Sequence, residues 1–296
     1  MNTDAAPLLG AEVVEGGTCF RLFADCARLC QVRLLDDTGA EQAVHDLPRQ
    51  SDGYHEITVA GAGHGTLYLF LLDGQAFPDP YARFLPRGVD GPAMVVESKY
   101  TWRNGDGVSR PMGEQVVYEL HVGTFTPEGT YRAARGRLQA LQDLGVTSVE
   151  LMPLSSFAGR RGWGYDGVAH FAPHPEYGTP DELRQFIDDA HGMDLSVLLD
   201  VVYNHFGPAG NYLRPISNTG PRVRDRRREA ALTRGYGLSA PAGRAPCPAP
   251  MRGGGAAGAA LHERWPRTRF VEDASAARVC GTRSRARRRR QRLRRR

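Results

Sequence analysis

Between residues 16 and 74 apolar side chains recur at alternate positions, in short runs closed by turn residues. Thr18–Phe23 and Leu29–Leu35 are two such runs. Tyr54, Ile57, Val59, Leu67, Leu69 and Leu71 continue the pattern, with Asp52-Gly53 and Asp73-Gly74 as turn pairs. Strands of this length and spacing predict a β-sandwich. The next stretch, FPDPYARFLPRGVDGPA (77–93), is dense in Pro and Gly, shows no period and reads as an ordered linker. A second linker, YTWRNGDGVSRP, carries Trp102, whose expected role is packing between domains rather than stacking on a ligand.

From residue 114 the period changes. Val116–Val122 predicts a strand, and Ala134, Leu138, Leu141 and Leu144 fall at helical spacing before Gly145, a C-terminal stop. VTSVELMPL (146–154) predicts a second strand. Thr179 as N-cap, Pro180 at the first helical position and Glu182 as the partner in a capping box open a second helix. Its apolar face is Leu183, Phe186, Ile187 and Ala190, and Gly192 ends it. Leu198, Leu199, Val201 and Val202 then flank one acid, Asp200, in the pattern of a buried parallel strand. Strands alternating with helices, without hairpin turns, require right-handed parallel crossovers. The expected fold is therefore α+β and multidomain: a β-sandwich over residues 1–100, then the opening units of a (β/α) barrel over 101–213.

Composition adds a division. The 296 residues carry a formal charge of +5, but residues 214–296 hold 23 Arg, no Lys and 5 acids, while residues 1–213 hold 15 basic and 28 acidic residues. Such asymmetry marks a tail of separate character. No apolar run is long enough to span a bilayer and the first residues lack a signal-peptide pattern, so neither a membrane partner nor secretion is expected. The five cysteines (Cys19, Cys26, Cys30, Cys247, Cys280) lack metal-ligand spacing, which points to small buried hydrophobes, a cytoplasmic setting and no metal site.

Candidate chemistry collects after the second and third strands, since carboxyl ends of parallel strands are where α/β folds place their sites. A carboxylate buried in a strand needs a partner, and Asp200 is followed at the strand's expected end by Asn204 and His205. The plainer alternative is a core strand ending in a polar turn. The loop SSFAGRRGWGYDGVAHFAPHPEYG (155–178) is longer than a crossover needs. In it Trp163 and Tyr165 offer apolar ring faces, Gly162, Gly164 and Gly167 permit tight backbone placement, and Arg160 and Arg161 supply donors. The segment reads either as a sugar-binding loop or as a packed aromatic one.

The Asp-x-x-x-Asn-His pattern in DVVYNHFGP resembles the first conserved region of the α-amylase superfamily of retaining glycoside hydrolases. With YELHVGTFTPEGTY, GVTSVELMPL, GWGYDGV and the linker's Asp-Pro-x-x-Arg-Phe, it resembles the malto-oligosyltrehalose trehalohydrolases over roughly residues 10–213. The resemblance implies the first three βα units of a (β/α)8 TIM barrel and no organic cofactor. It also implies hydrolysis of the α-1,4 bond joining trehalose to a malto-oligosaccharide, the expected partner. It places Tyr165 under the sugar beside the cleaved bond, His205 on the same sugar, Asp200 as a supporting carboxylate and Asn204 as a loop-fixing residue. Trp163 joins them as a substrate-binding residue.

The resemblance stops near residue 213. Of the 83 residues beyond it, 53 are Arg, Ala, Gly or Pro, a composition that predicts a disordered segment without a packed core. Retaining hydrolysis needs two carboxyl groups about 5–5.5 Å apart. The resemblance puts these on the fourth and fifth strands. Asp225, Glu263 and the pair Glu272-Asp273 have no apolar strand before them, so no nucleophile or general acid is assigned, and the chain reads as truncated before its catalytic carboxylates. Three readings of the tail stand: a change of reading frame in GC-rich DNA, a basic arm binding nucleic acid or other polyanions, or an appendage to a non-catalytic glucan-binding remnant.

Overall fold

A computed structural model describes residues 8–50, 53–104, 110–216 and 278–279. The expectation of a disordered tail, and Asp52 of the first turn pair, lie outside the described residues. The first part of the chain forms two antiparallel sheets. β1 (Gly10–Val14) and β2 (Gly17–Phe23) form a hairpin, joined later by β5 (Tyr54–Val59) in the order β1-β2-β5. β3 (Cys30–Leu35), β4 (Glu41–Asp46), β6 (Leu67–Leu72) and β7 (Gln75–Phe77) pair in the order β4-β3-β6-β7, with β8 (Ala93–Met94) on β6. Phe20 and Leu22 of one sheet and Val32, Tyr68, Phe70 and Leu72 of the other share one core. The β6–β7 hairpin turns on Asp73 and Gly74, both with positive φ (49° and 83°), the backbone that a two-residue hairpin of this type requires. Cys19 and Cys30 are buried free thiols, and burial pushes them up to about 11 and about 12.

The linker fastens this sandwich to the second part of the chain. Asp79 is buried, accepts from the Tyr68 hydroxyl and from Tyr81 N–H (2.8 Å), and burial raises its carboxyl to about 6. Tyr81 stacks on Phe171 at 6.0 Å between centroids, and the Arg83 guanidinium lies 5.2 Å over the same ring. Because Asp79 has a raised folded pKa, its contribution is fully present below about pH 4 and is lost as pH rises through about 6. Folding stability should therefore fall by about 2–3 kcal/mol across that window. Urea unfolding of wild type and Asp79→Asn at pH 4.5 and 7 checks this: the variant should lack the fall, and an equal difference between the two proteins at both pH values rules the assignment out.

The second part is a parallel four-stranded sheet, with helices between the first three of its strands in chain order. β9 (Val117–Leu120) leads through α1 (Val122–Phe125), α2 (Tyr131–Arg135) and α3 (Leu138–Asp143) to β10 (Ser148–Leu151). A hairpin of β11 (Ser155–Ser156) and β12 (Ala169–Pro173) comes next, then α4 (Pro180–Gly192), β13 (Ser196–Leu199) and α5 (Leu213–Ile216). β14 (Arg278–Val279) pairs parallel with β13, giving the order β14-β13-β10-β9. The capping box at Thr179 and Glu182 forms as the sequence predicts, and Leu183, Phe186, Ile187 and Ala190 are buried.

Three local expectations are corrected. The strand predicted over Val116–Val122 ends at Leu120, because His121 caps α1 and Val122 starts it. The helix predicted from the spacing of Ala134, Leu138, Leu141 and Leu144 is two short helices broken at Gly136, a poor helix former. Leu144 leaves the apolar face and stands 73% exposed. Gly145 (φ 86°) still stops α3: its N–H bonds to Gln142 and that of Val146 to Leu141, the paired bonds of a Schellman motif. At the end of α4 the left-handed position is taken by Asp194 (φ 61°), two residues past Gly192.

Candidate functional site

The three parallel strands place their carboxyl ends side by side. Glu119 on β9 and Glu150 on β10 are register partners, and Glu150 pairs in turn with Leu198 on β13. Alternation puts these three on one face, while Val149, Leu151 and Val197 pack against the helices. Burial raises the Glu150 carboxyl, and the charges of Glu119 and Asp200 raise it further. The sequence missed Glu119 and Glu150 because each sits singly in a short strand. Only the register reveals that the strands bring them together.

Asp200 differs from its expectation. β13 ends at Leu199, so Asp200 lies just past the strand, half-buried rather than enclosed, with its N–H bonded to the Leu151 carbonyl. The same early end leaves Val201 and Val202 half-buried in an irregular segment. At this position Asp200 needs no buried partner. It faces the inner carboxylates and the ring of Tyr165, whose hydroxyl is raised by desolvation and by the charges of Asp200, Glu119 and Glu150.

Asn204, His205 and the Tyr165 backbone come together, with Trp163 two residues before Tyr165 on the same loop. The Nε2 of His205 is 2.8 Å from the Tyr165 carbonyl, and its Nδ1 is 2.9 Å from the Asn204 side-chain oxygen. A carbonyl only accepts, so Nε2 donates to Tyr165. Nδ1 is partnered by the Asn204 side chain. Both ring nitrogens of His205 thus have partners within the chain. Trp163 is 78% exposed and Tyr165 42%. Trp102 stacks on His191 of α4 with centroids 6.4 Å apart and packs against the helix-side core, a place within the second part rather than the one between domains expected of it.

The loop that presents the two rings is anchored in both cores. Val168, Ala169 and Ala172 enter the sandwich core, whereas Leu154, Phe157 and Tyr177 belong to the helix-side core. Between them the backbone passes close under the rings. Gly164 has φ 92°, and a Cβ there would stand 2.5 Å from the Pro153 carbonyl oxygen; at Gly162 a Cβ would meet the Phe157 ring at 2.7 Å. His174, stacked 3.8 Å from Phe157, is held by burial at about 4 and so stays neutral. Arg160 pairs with Glu176 at 2.9 Å at the rim of a cleft of about 360 Å³ that the linker residues Arg87 and Asp90 help to line. Among the described residues, no group of three or more His, Cys, Asp or Glu side chains converges on a metal-sized site. No described helix is long and apolar enough to cross a membrane.

Comparison with known proteins matches residues 75–226 to the family described as alpha amylase, catalytic domain, and residues 8–82 to carbohydrate-binding module 48, the isoamylase N-terminal domain. A malto-oligosyltrehalose trehalohydrolase of Deinococcus radiodurans is 49% identical over 213 residues, covering 71% of this chain and 34% of that protein. One from Saccharolobus solfataricus is 38% identical over 69% of this chain and 36% of that protein. Among solved structures, a protein assigned as an alpha amylase from Salmonella typhimurium superposes with a TM-score of 0.66 at 47% identity, covering 72% of this chain and 36% of the other. The chain spans about a third of the length of the curated relatives it matches.

Proposed function

The chain belongs to the α-amylase family of glycoside hydrolases, and from that premise we propose that its strand-end site binds a malto-oligosaccharide as a malto-oligosyltrehalose trehalohydrolase does. One observation carries the reading. Two aromatic rings are held largely exposed on a glycine-rich loop at the carboxyl ends of parallel strands, beside Asp200 and His205. Exposed rings cost free energy in water, and a pyranose face presents the C–H surface that covers them. Tyr165 is the platform under the sugar beside the cleaved bond, Trp163 extends it, and Asp200 supports the site. Asn204 fixes His205, whose contribution in this conformation passes through the Tyr165 carbonyl.

The domain organisation that goes with this is a sandwich over residues 1–100, the first three units of a (β/α)8 barrel over 101–213, and a tail of separate origin beyond. We read this chain as supplying the sugar-binding part and assign no nucleophile or general acid to any of its residues. A soluble cytoplasmic setting rests on the unpaired thiols Cys19 and Cys30.

Isothermal titration with maltohexaose tests the reading. Wild type should bind in the micromolar to millimolar range, and Trp163→Ala should weaken binding by roughly tenfold through loss of one stacking face. Micromolar binding left unchanged in that variant removes Trp163 from the site.

A further inference from the structure

We infer that His121 is a positioning residue for the Trp163–Tyr165 platform, acting with His205 as the second of two imidazole clamps. The inference rests on the reading of those rings as the sugar platform. It comes from a symmetry in the contacts. His205 donates to the carbonyl at one end of the four-residue stretch Gly162–Tyr165, and the carbonyl at the other end, that of Gly162, lies 2.8 Å from His121 Nε2. The two rings come from different strands: His121 follows β9 directly, and His205 follows β13 by six residues.

His121 is itself held in one orientation. The Gly162 carbonyl accepts only, so Nε2 donates to it, and Nδ1 lies 3.3 Å from the Thr124 hydroxyl, which itself donates to the His121 carbonyl at 3.4 Å. The Tyr177 hydroxyl approaches Nε2 at 3.2 Å, with the two rings edge to face at 5.8 Å. Gly123 completes the seat: a Cβ there would lie 3.0 Å from the imidazole and 2.9 Å from the Tyr177 ring.

The platform needs such a clamp because it cannot hold itself. Trp163 and Tyr165 are exposed, and Gly162 and Gly164 have no side chains to pack. What fixes the stretch is backbone, and its two end carbonyls are the groups the histidines grip. A loop already ordered in its binding conformation loses less entropy when ligand arrives. His121 lies beneath the loop and bonds to its backbone, so its effect reaches a sugar only through the rings.

The test compares wild type, His121→Ala, His121→Gln and His121→Asn in the full chain, with maltohexaose as the probe. His121→Ala should weaken binding about tenfold, the worth of one well-placed hydrogen bond. It should also speed amide exchange of Trp163 to Tyr165 while the unfolding midpoint stays near wild type. Gln, whose amide N–H reaches the Nε2 position, should restore both readouts to within about threefold. Asn, which mimics Nδ1, should not. In a Trp163→Ala background, loss of His121 should cost less than about twofold further, because the two residues act through one platform. Equal losses with and without Trp163, or exchange unchanged in His121→Ala, overturn the inference. If His121→Ala does not fold, the Gln and Asn variants make the same comparison, and equal behaviour of those two overturns it. Failure of wild type to bind maltohexaose sinks the sugar reading, whereas the exchange comparison still decides whether His121 holds the loop.

Discussion

Incubated with malto-oligosyltrehalose, the purified chain should release no trehalose above background, at least about 10⁴-fold below a complete trehalohydrolase. A retaining glycosidase needs one carboxylate as nucleophile and a second carboxyl group as acid, about 5–5.5 Å apart across the scissile bond. The described strand ends offer Glu119, Glu150 and Asp200. Glu119 and Glu150 lie on β9 and β10 and Asp200 just past β13, and none of the three is assigned as nucleophile or acid. The raised Glu150 carboxyl results from burial and from two neighbouring acids, which is crowding and does not by itself make a catalytic acid. Trehalose release followed by chromatography, with heat-treated protein as blank, measures the expected absence. Turnover abolished by Glu150→Gln would move the chemistry to the inner face of this sheet, and turnover abolished by Asp225→Asn would move it to the tail. Either result defeats the proposed division between sugar binding and catalysis.

Much of this architecture was legible because its signals are local. The hairpin at Asp73-Gly74, the capping box at Thr179 and the stop at Gly145 each depend on a few adjacent residues, and the structure realises all three. Elements set by tertiary contacts were less legible. Leu144 has the spacing of a buried residue, but it stands at the C-cap of α3 and faces solvent. Asp200 sits in an apolar run that looks like continuous strand, yet the chain leaves the sheet at Leu199. The candidate site divides the same way. Its rings and glycines were visible as a motif. The grip on Gly162 by His121 was not, because the two residues are 41 positions apart and the bond goes to a backbone carbonyl, which carries no residue-specific signal. The same holds for Glu119 beside Glu150, a pairing made by register alone.

Replacing Asp188 by Ala should destabilise the parallel sheet by about 3–5 kcal/mol and lower its unfolding midpoint by on the order of 10 °C. Asp188 is fully buried on α4 and collects five donors from the second linker. These are the Tyr100 hydroxyl at 2.8 Å, the N–H and Nε of Arg103 at 3.1 and 2.8 Å, and the N–H and side-chain amide of Asn104 at 3.0 and 3.2 Å. Burial opposes its charge, but this set of hydrogen bonds prevails and holds the carboxyl at about 2. Alanine leaves several donors inside the protein without an acceptor. Asparagine keeps one acceptor oxygen and turns an amide toward the remaining donors, so it should recover only part of the loss. The pH dependence is a second check. A folded pKa below the unfolded value means that the stabilisation is fully present above about pH 4 and disappears as pH falls through about 2, a change of about 2 kcal/mol. Wild type should therefore lose more than half of this increment between pH 4.5 and 2.5 in urea titrations, while Asp188→Ala lacks it. This is the opposite slope to that of Asp79, so the two carboxylates are separable in one data set. The consequence for the site comes through connectivity. Asp188 anchors α4, α4 delivers the chain to β13, and β13 leads to Asp200 and His205. Exchange of amides 200–205 should accelerate in Asp188→Ala before the sandwich is affected. Slow exchange there, in a protein otherwise destabilised, would show that the strand ends are held without α4.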